Sequence, residues 1–248
     1  MFRLLLAILI LTPLVCNGAN SNVELRIATA ANFYPTLLKI KRSFEAITNH
    51  KLTIIRGSSG KLYAQIMQGA PYDIFFSADT ARPDKLIKQG KTRDIDKNNT
   101  SLIYALGRLV LWRPDADSSQ QLREQLTKGD FKKLAIANPK TAPYGKASIQ
   151  ALKAMELYEE VKPKLVFGEN ISQTLQFVQA GAAGLGLVAR SYVINDIHWE
   201  IDSYLHKPVN QKVVILKQTR HLNIAREFLQ FIQSPAMQKI ITMDGYGH

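Results

Sequence analysis

The chain reads as an α/β protein with a two-lobed fold, each lobe a mainly parallel sheet flanked by helices. Short β-branched runs alternate with helical patterns from Glu24 onward, which is how βαβ units appear in a sequence. One apolar run, 102–112, is about 11 residues long where a strand usually has about 5 or 6, a length suited to a chain crossing between two bodies. No internal repeat or low-complexity linker divides the chain, so a lobe boundary has to be a crossing of this kind and not a tether.

Leu25 and Ile27 open the first strand. A helix follows over 35–48, with Leu37, Leu38, Phe44 and Ile47 at helical spacing behind Pro35, a residue suited to a first turn. Further strands are predicted at 52–56, 73–77, 134–137, 164–167 and 184–189, and helices at 60–69, 82–89, 118–128, 146–158 and 172–180. The last part holds a strand at 212–217 and two helices, starting at Arg220 and Ser234. A second crossing near 202–206 returns the chain, so lobe 1 comprises 23–104 plus 206–248 and lobe 2 comprises 105–205.

Arg3 supplies a positive start before the apolar stretch 4–15, the layout of a secretory signal peptide. The stretch is shorter than the roughly 20 residues a membrane-spanning helix needs. Small residues favour a cut after Gly18 or Ala19, making 1–19 the signal peptide and the mature protein periplasmic. Cys16 lacks the small preceding residue that lipidation favours, because Pro13, Leu14 and Val15 stand before it. It is also the only cysteine, so the mature chain has no disulfide and depends on an ordinary hydrophobic core. The formal net charge is +12, but Lys and Arg are scattered among acidic residues. That pattern is a solvated basic surface able to steer anions inward, and not a nucleic-acid stripe.

Four strand-to-helix junctions are the candidate chemistry: Ala30-Ala31-Asn32-Phe33, Gly57-Ser58-Ser59-Gly60, Ala142-Pro143-Tyr144-Gly145 and Glu169-Asn170-Ile171-Ser172. The first N–H groups of a helix have no partner inside it, and the helix dipole adds partial positive charge there. Such a junction seats an anion, and open α/β sheets bind ligands beyond the carboxyl ends of their strands. Glycines in Gly57-Ser58-Ser59-Gly60 let backbone approach a ligand while the hydroxyls donate without adding charge. Taken singly, the motif reads first as a turn with a helix cap, Pro143-Tyr144-Gly145 as a type II turn before a helix, and Asn32 as an N-cap.

Taken in order, the motifs make a specific pattern. From Leu25 onward the chain resembles the periplasmic molybdate-binding proteins, through those four junctions and through Gly69-Ala70-Pro71-Tyr72-Asp73-Ile74-Phe75-Phe76-Ser77-Ala78-Asp79, Tyr104-Ala105-Leu106-Gly107-Arg108-Leu109-Val110-Leu111-Trp112, Ile136-Ala137-Asn138-Pro139 and Gly245-Tyr246-Gly247. The resemblance implies a type II periplasmic binding protein fold that captures molybdate or tungstate and delivers it to the membrane permease of an ABC importer. It implies an oxyanion site at Ala31, Asn32, Ser59, Tyr144 and Ile171, with Ser59 giving its hydroxyl and N–H and Asn32, Tyr144 and Ile171 their backbone N–H groups. It further implies a monomer without cofactor, with no protein ligand to the metal atom itself and no Lys or Arg in the site.

Two positions depart from the family pattern. A Ser or Thr hydroxyl often stands where this chain has Ala31 and Asn32, and the Asn32 amide is the candidate replacement. Some members use a tyrosine hydroxyl at the strand matching 187–190, which Ala189 lacks. The competing readings are a binding protein for another tetrahedral oxyanion, such as sulfate or phosphate, and an exported serine hydrolase. Gly57-Ser58-Ser59-Gly60 lacks the G-x-S-x-G spacing of a nucleophile elbow. None of the five histidines falls within the four junctions, and no H-E-x-x-H pair is present. Gly181-Ala182-Ala183-Gly184-Leu185-Gly186 has its glycines in the wrong order for a dinucleotide fingerprint and reads as a turn into a buried strand.

Overall fold

A computed structural model describes residues 22–247. The expected signal peptide 1–19, Cys16 and His248 lie outside the described residues. β1 (Glu24–Ala30) runs through a 3-10 turn (Ala31–Phe33) into α1 (Tyr34–Thr48), followed by β2 (Lys51–Gly57), α2 (Ser59–Met67), β3 (Ile74–Ser77), α3 (Ala81–Lys88) and the short β4 (Thr92–Arg93). Next come β5 (Ser101–Gly107), β6 (Leu109–Trp112), α4 (Ser119–Thr127), β7 (Leu134–Ala137), α5 (Pro143–Ala154), α6 (Tyr158–Val161), β8 (Leu165–Gly168), α7 (Ile171–Gln179) and β9 (Leu185–Ala189). A 3-10 turn (Arg190–Tyr192), β10 (Trp199–Glu200), β11 (Val209–Leu216), α8 (Leu222–Ile232) and α9 (Pro235–Met243) complete the order.

The strands form two sheets, one for each lobe. The first has the order β2-β1-β3-β11-β4 with β5 also paired to β11, and the second is β10-β6-β9-β7-β8. The βαβ strands pair in parallel: β1 with β2 and β3, and β7 with β8 and β9. Every antiparallel pair involves β6 or β11, the strands that follow the two crossings. A chain arriving from the other lobe enters its new sheet against the direction of the βαβ strands.

Strand alternation explains the two-sided burial of the first sheet. Leu25 and Ile27 of β1 and Phe76 of β3 join Leu37, Phe44, Phe228 and Ile241 on one face. Ala28 and Phe75 turn to the other face and meet Leu62, Ile66 and Leu86 of α2 and α3. The second sheet divides in the same way, with Leu109, Leu111 and Ile136 on one face and Val110, Trp112 and Val188 on the other. Phe33, fully buried, stacks on Phe76 at 5.6 Å and tilts against Tyr104 at 4.6 Å, which anchors the 3-10 turn after β1. Truncating such an aromatic typically costs about 3–5 kcal/mol.

Several sequence expectations are corrected here. The apolar run 102–112 is the crossing its length suggested, but as two strands in two different sheets with the change at Arg108, and β5 keeps its pairing with β11 as far as Gly107 opposite Val209. The expected lobe edge between 104 and 105 therefore falls inside β5. Pro143, Tyr144 and Gly145 are the first turn of α5 and not a type II turn before it, with Pro143 at the opening position that its fixed φ suits. The helix expected over 146–158 ends at Ala154, and Glu156 at φ 60° turns the chain before α6. Ile47 is 69 % exposed on α1 although its spacing matched the apolar face.

Candidate functional site

All four predicted junctions meet at one place. Ala31, Asn32, Ser59, Tyr144 and Ile171 line a single small cavity together with Ala30, Gly57, Ser58, Ala78, Ala142, Pro143 and Asn170. Its cavity volume is only about 10 Å³, far below the roughly 300–1,000 Å³ of pockets for drug-sized ligands. No Lys, Arg, Asp, Glu or His lines it. A larger open groove, lined by His50, Arg220, His221 and Glu227, lies beside Val23 at the opposite, amino-terminal end of β1.

Each wall is a strand's carboxyl end followed by a helix start. Ser59 is the first residue of α2, and Ser58 caps that helix, its hydroxyl accepting the Lys61 N–H. Tyr144 is the second residue of α5 behind Pro143, and Ile171 the first of α7 behind Asn170, whose side chain accepts the N–H groups of Ser172 and Gln173. Asn170 thus satisfies the next two donors of α7, and the Ile171 N–H, with no acceptor inside the helix, remains for a ligand. The Ser59 hydroxyl accepts the Ala78 N–H at 2.9 Å, so its own hydrogen is free to be donated. Gly145 gives α5 its close seat on β7, because a Cβ there would stand 2.0 Å from the Ala137 carbonyl oxygen.

Asn32 behaves differently from either sequence reading. It is not a helix cap but the middle residue of the 3-10 turn, 1 % exposed. Its side-chain amide donates to Gln211 Oε1 at 2.8 Å and to the Tyr246 hydroxyl at 3.2 Å, away from the role of a substitute ligand hydroxyl. Gln211 also accepts from Tyr104 at 2.9 Å. Behind the cavity, therefore, lies a network of uncharged side chains from β5, β11 and the carboxyl terminus. Burial, followed by neighbouring phenols, pushes the Tyr104, Tyr144 and Tyr246 hydroxyls well above the usual phenol range, so they remain protonated donors.

The lobes touch around the cavity. The Gly60 N–H donates to the Thr141 carbonyl at 2.9 Å, and Lys61 pairs with Glu169 at 2.8 Å. From the turn after β9, the Ser191 hydroxyl donates to the Asn32 carbonyl at 3.1 Å and the Tyr192 hydroxyl to the Ala31 carbonyl at 2.7 Å. Tyr246 also donates to the Asn32 carbonyl, at 2.7 Å. Sequence reasoning named Tyr246 and Ala78 only within longer motifs and passed over Ser191, Tyr192 and Gln211. The one available signal for Tyr192 was its place three residues after Ala189, where a hydroxyl was missed.

The chemistry of this lining is that of a neutral donor cage. A serine nucleophile would need a base, yet Ser58 is engaged as a cap, Ser59 accepts a backbone N–H, and no histidine lines the cavity. Among the described residues no group of three or more His, Cys, Asp or Glu is placed to hold a metal ion, and no helix is long and apolar enough to cross a membrane.

Residues 25–247 match the family model of the bacterial extracellular solute-binding proteins. The chain belongs to that family. Among relatives of this solute-binding protein, the molybdate-binding protein of Azotobacter vinelandii is 38 % identical over 230 residues, 90 % of each chain. That of Rhodobacter capsulatus is 38 % identical over 226 residues, covering 90 % of this chain and 88 % of the relative. A solved structure of the periplasmic molybdate-binding protein of Azotobacter vinelandii superposes with a TM-score of 0.84 at 34 % identity, covering 90 % of this chain and 99 % of that one. The two-lobed α/β architecture of this solute-binding protein is thus that of periplasmic binding proteins.

Proposed function

We propose that this solute-binding protein captures molybdate, and tungstate with it, in the periplasm and hands it to the permease of an ABC importer. The observation that carries the reading is the convergence of helix starts from both lobes, with the Ser59 hydroxyl, on a cavity lined without a charged side chain. Ligand contacts are assigned to the Ser59 hydroxyl and N–H and to the N–H groups of Ala31, Asn32, Tyr144 and Ile171. Hydrogen bonds to a charged acceptor contribute roughly 1.5–3 kcal/mol each, and about six of them exceed the at least ~4 kcal/mol that association costs. Fixed neutral donors around a dianion select for size and geometry, and the relatives named for molybdate support the choice of that anion.

The same reading makes the protein a monomer that performs no catalysis and needs no cofactor. It is exported by a signal peptide at 1–19 and divided into two lobes, with the expected 104/105 edge moved to the end of β5 and the expected 205/206 edge to the start of β11, giving 23–107 plus 209–248 and 108–208. Loading draws the lobes together about the two crossings, a ligand-driven shift in population. Titration calorimetry with molybdate, tungstate, sulfate and phosphate tests the assignment. Molybdate and tungstate are expected to bind far more tightly than sulfate or phosphate, and sulfate binding as tightly as molybdate overturns it.

A further inference from the structure

We infer that Tyr192 is a positioning residue: from lobe 2 it locks the Ala31–Asn32 peptide so that the Asn32 N–H faces the oxyanion. The inference rests on the oxyanion reading above. The carbonyl oxygen of Ala31 and the N–H of Asn32 belong to one peptide group, and the described residues contain no cis peptide bond. In a planar trans peptide these two groups point in opposite directions. The Ala31 oxygen accepts the Tyr34 N–H that closes the 3-10 turn and, from lobe 2, the Tyr192 hydroxyl at 2.7 Å, so the second hydrogen bond reinforces the first in holding the oxygen outward and the N–H inward. A hydrogen bond accepted by the carbonyl also polarises the same amide, making its N–H a stronger donor.

The other hydroxyls at this turn do not share that task. Ser191 and Tyr246 both donate to the Asn32 oxygen, which belongs to the next peptide, the one carrying the Phe33 N–H. Tyr192 does not line the cavity, so it acts through the backbone and not on the ligand. Its phenol also meets the side chain of Ser172, the second residue of α7 and neighbour of Ile171. One side chain of lobe 2 therefore joins the start of α7 to the donor peptide of lobe 1. This contact forms only when the lobes meet, so Tyr192 couples closure to the alignment of a ligand donor. The hydroxyl that Ala189 does not provide is replaced, three residues on, by one acting a bond further from the ligand.

Tyr192→Phe removes only the hydroxyl, and stopped-flow fluorescence with molybdate reads the consequence. Molybdate is expected to leave the variant about tenfold faster, equivalent to about 1.4 kcal/mol. Its association rate and the melting temperature without ligand should stay at the parent's values. An unchanged dissociation rate in a variant that still binds overturns the role of Tyr192 and leaves the oxyanion reading standing. So does a fall in the ligand-free melting temperature with parental dissociation, which marks a purely structural hydroxyl. A parent protein that binds no molybdate in calorimetry defeats the oxyanion reading and this inference with it.

Discussion

The Ser59 hydroxyl accepts the backbone N–H of Ala78 at 2.9 Å. Its oxygen is thereby held by the strand end of β3, which leaves its hydrogen to be donated to a ligand in the cavity. Ser59→Ala removes one hydrogen bond to a charged ligand, roughly 1.5–3 kcal/mol, so the affinity for molybdate should fall by about 10- to 150-fold in calorimetry. Parental affinity in this variant would show that the hydroxyl does not touch the ligand.

At Gly60 the backbones of the two lobes meet, its N–H donating to the Thr141 carbonyl. A Cβ there would stand 2.8 Å from the Thr141 carbonyl oxygen and 2.9 Å from its Cα, backbone atoms that cannot step aside as a side chain end does. Within α2 an alanine is itself favoured over glycine by about 1 kcal/mol. Gly60→Ala should therefore keep or raise the melting temperature without ligand while weakening molybdate binding by about 100-fold or more. In small-angle scattering, the variant should show no compaction on adding molybdate. Full affinity together with normal compaction would contradict the close approach.

Asn32 contributes to stability through its side chain and to binding through its backbone. Asn32→Ala removes the bonds to Gln211 and Tyr246 but leaves the N–H in place. We expect a loss of about 1–3 kcal/mol in ligand-free stability, read by thermal melting at roughly 2–4 °C per kcal/mol for a chain of this size. Affinity should fall less than in Ser59→Ala. A larger affinity loss than that of Ser59→Ala would return the amide to the ligand.

Phenol burial sets the pH response. The folded chain holds the Tyr104, Tyr144 and Tyr246 protons above the usual phenol value, whereas the unfolded chain releases them near pH 10. Their contribution is therefore complete below about pH 10 and is lost as pH rises beyond it. Melting temperatures should be level from pH 7 to 9 and fall by pH 11, and molybdate affinity should be flat between pH 6 and 9 because no carboxylate or imidazole lines the cavity. A steep affinity change between pH 6 and 8 would implicate a histidine.

Much of this site was legible in the sequence because helix starts after strands announce themselves locally. Ser58 before α2 and Asn170 before α7 are capping residues, and Pro143 suits a first turn. What stayed hidden depends on contacts far apart in the chain. Tyr192 meets Ala31 across 161 positions and Gln211 meets Asn32 across 179, and no periodicity encodes such a pairing. The break at Arg108 was hidden for another reason: both halves of 102–112 are apolar and β-prone, so only their assignment to different sheets divides them. Ile47 has helical spacing but lies in the last turn of α1, beyond the core that buries Phe44.

A crystal structure of the protein loaded with molybdate tests the central claim most directly. We predict oxyanion oxygens at about 2.7–3.1 Å from the Ser59 hydroxyl and from the N–H groups of Ser59, Ala31, Asn32, Tyr144 and Ile171, with no cationic side chain in contact. A molybdate held by lysine or arginine, or bound outside this cavity with those donors turned away, would contradict it.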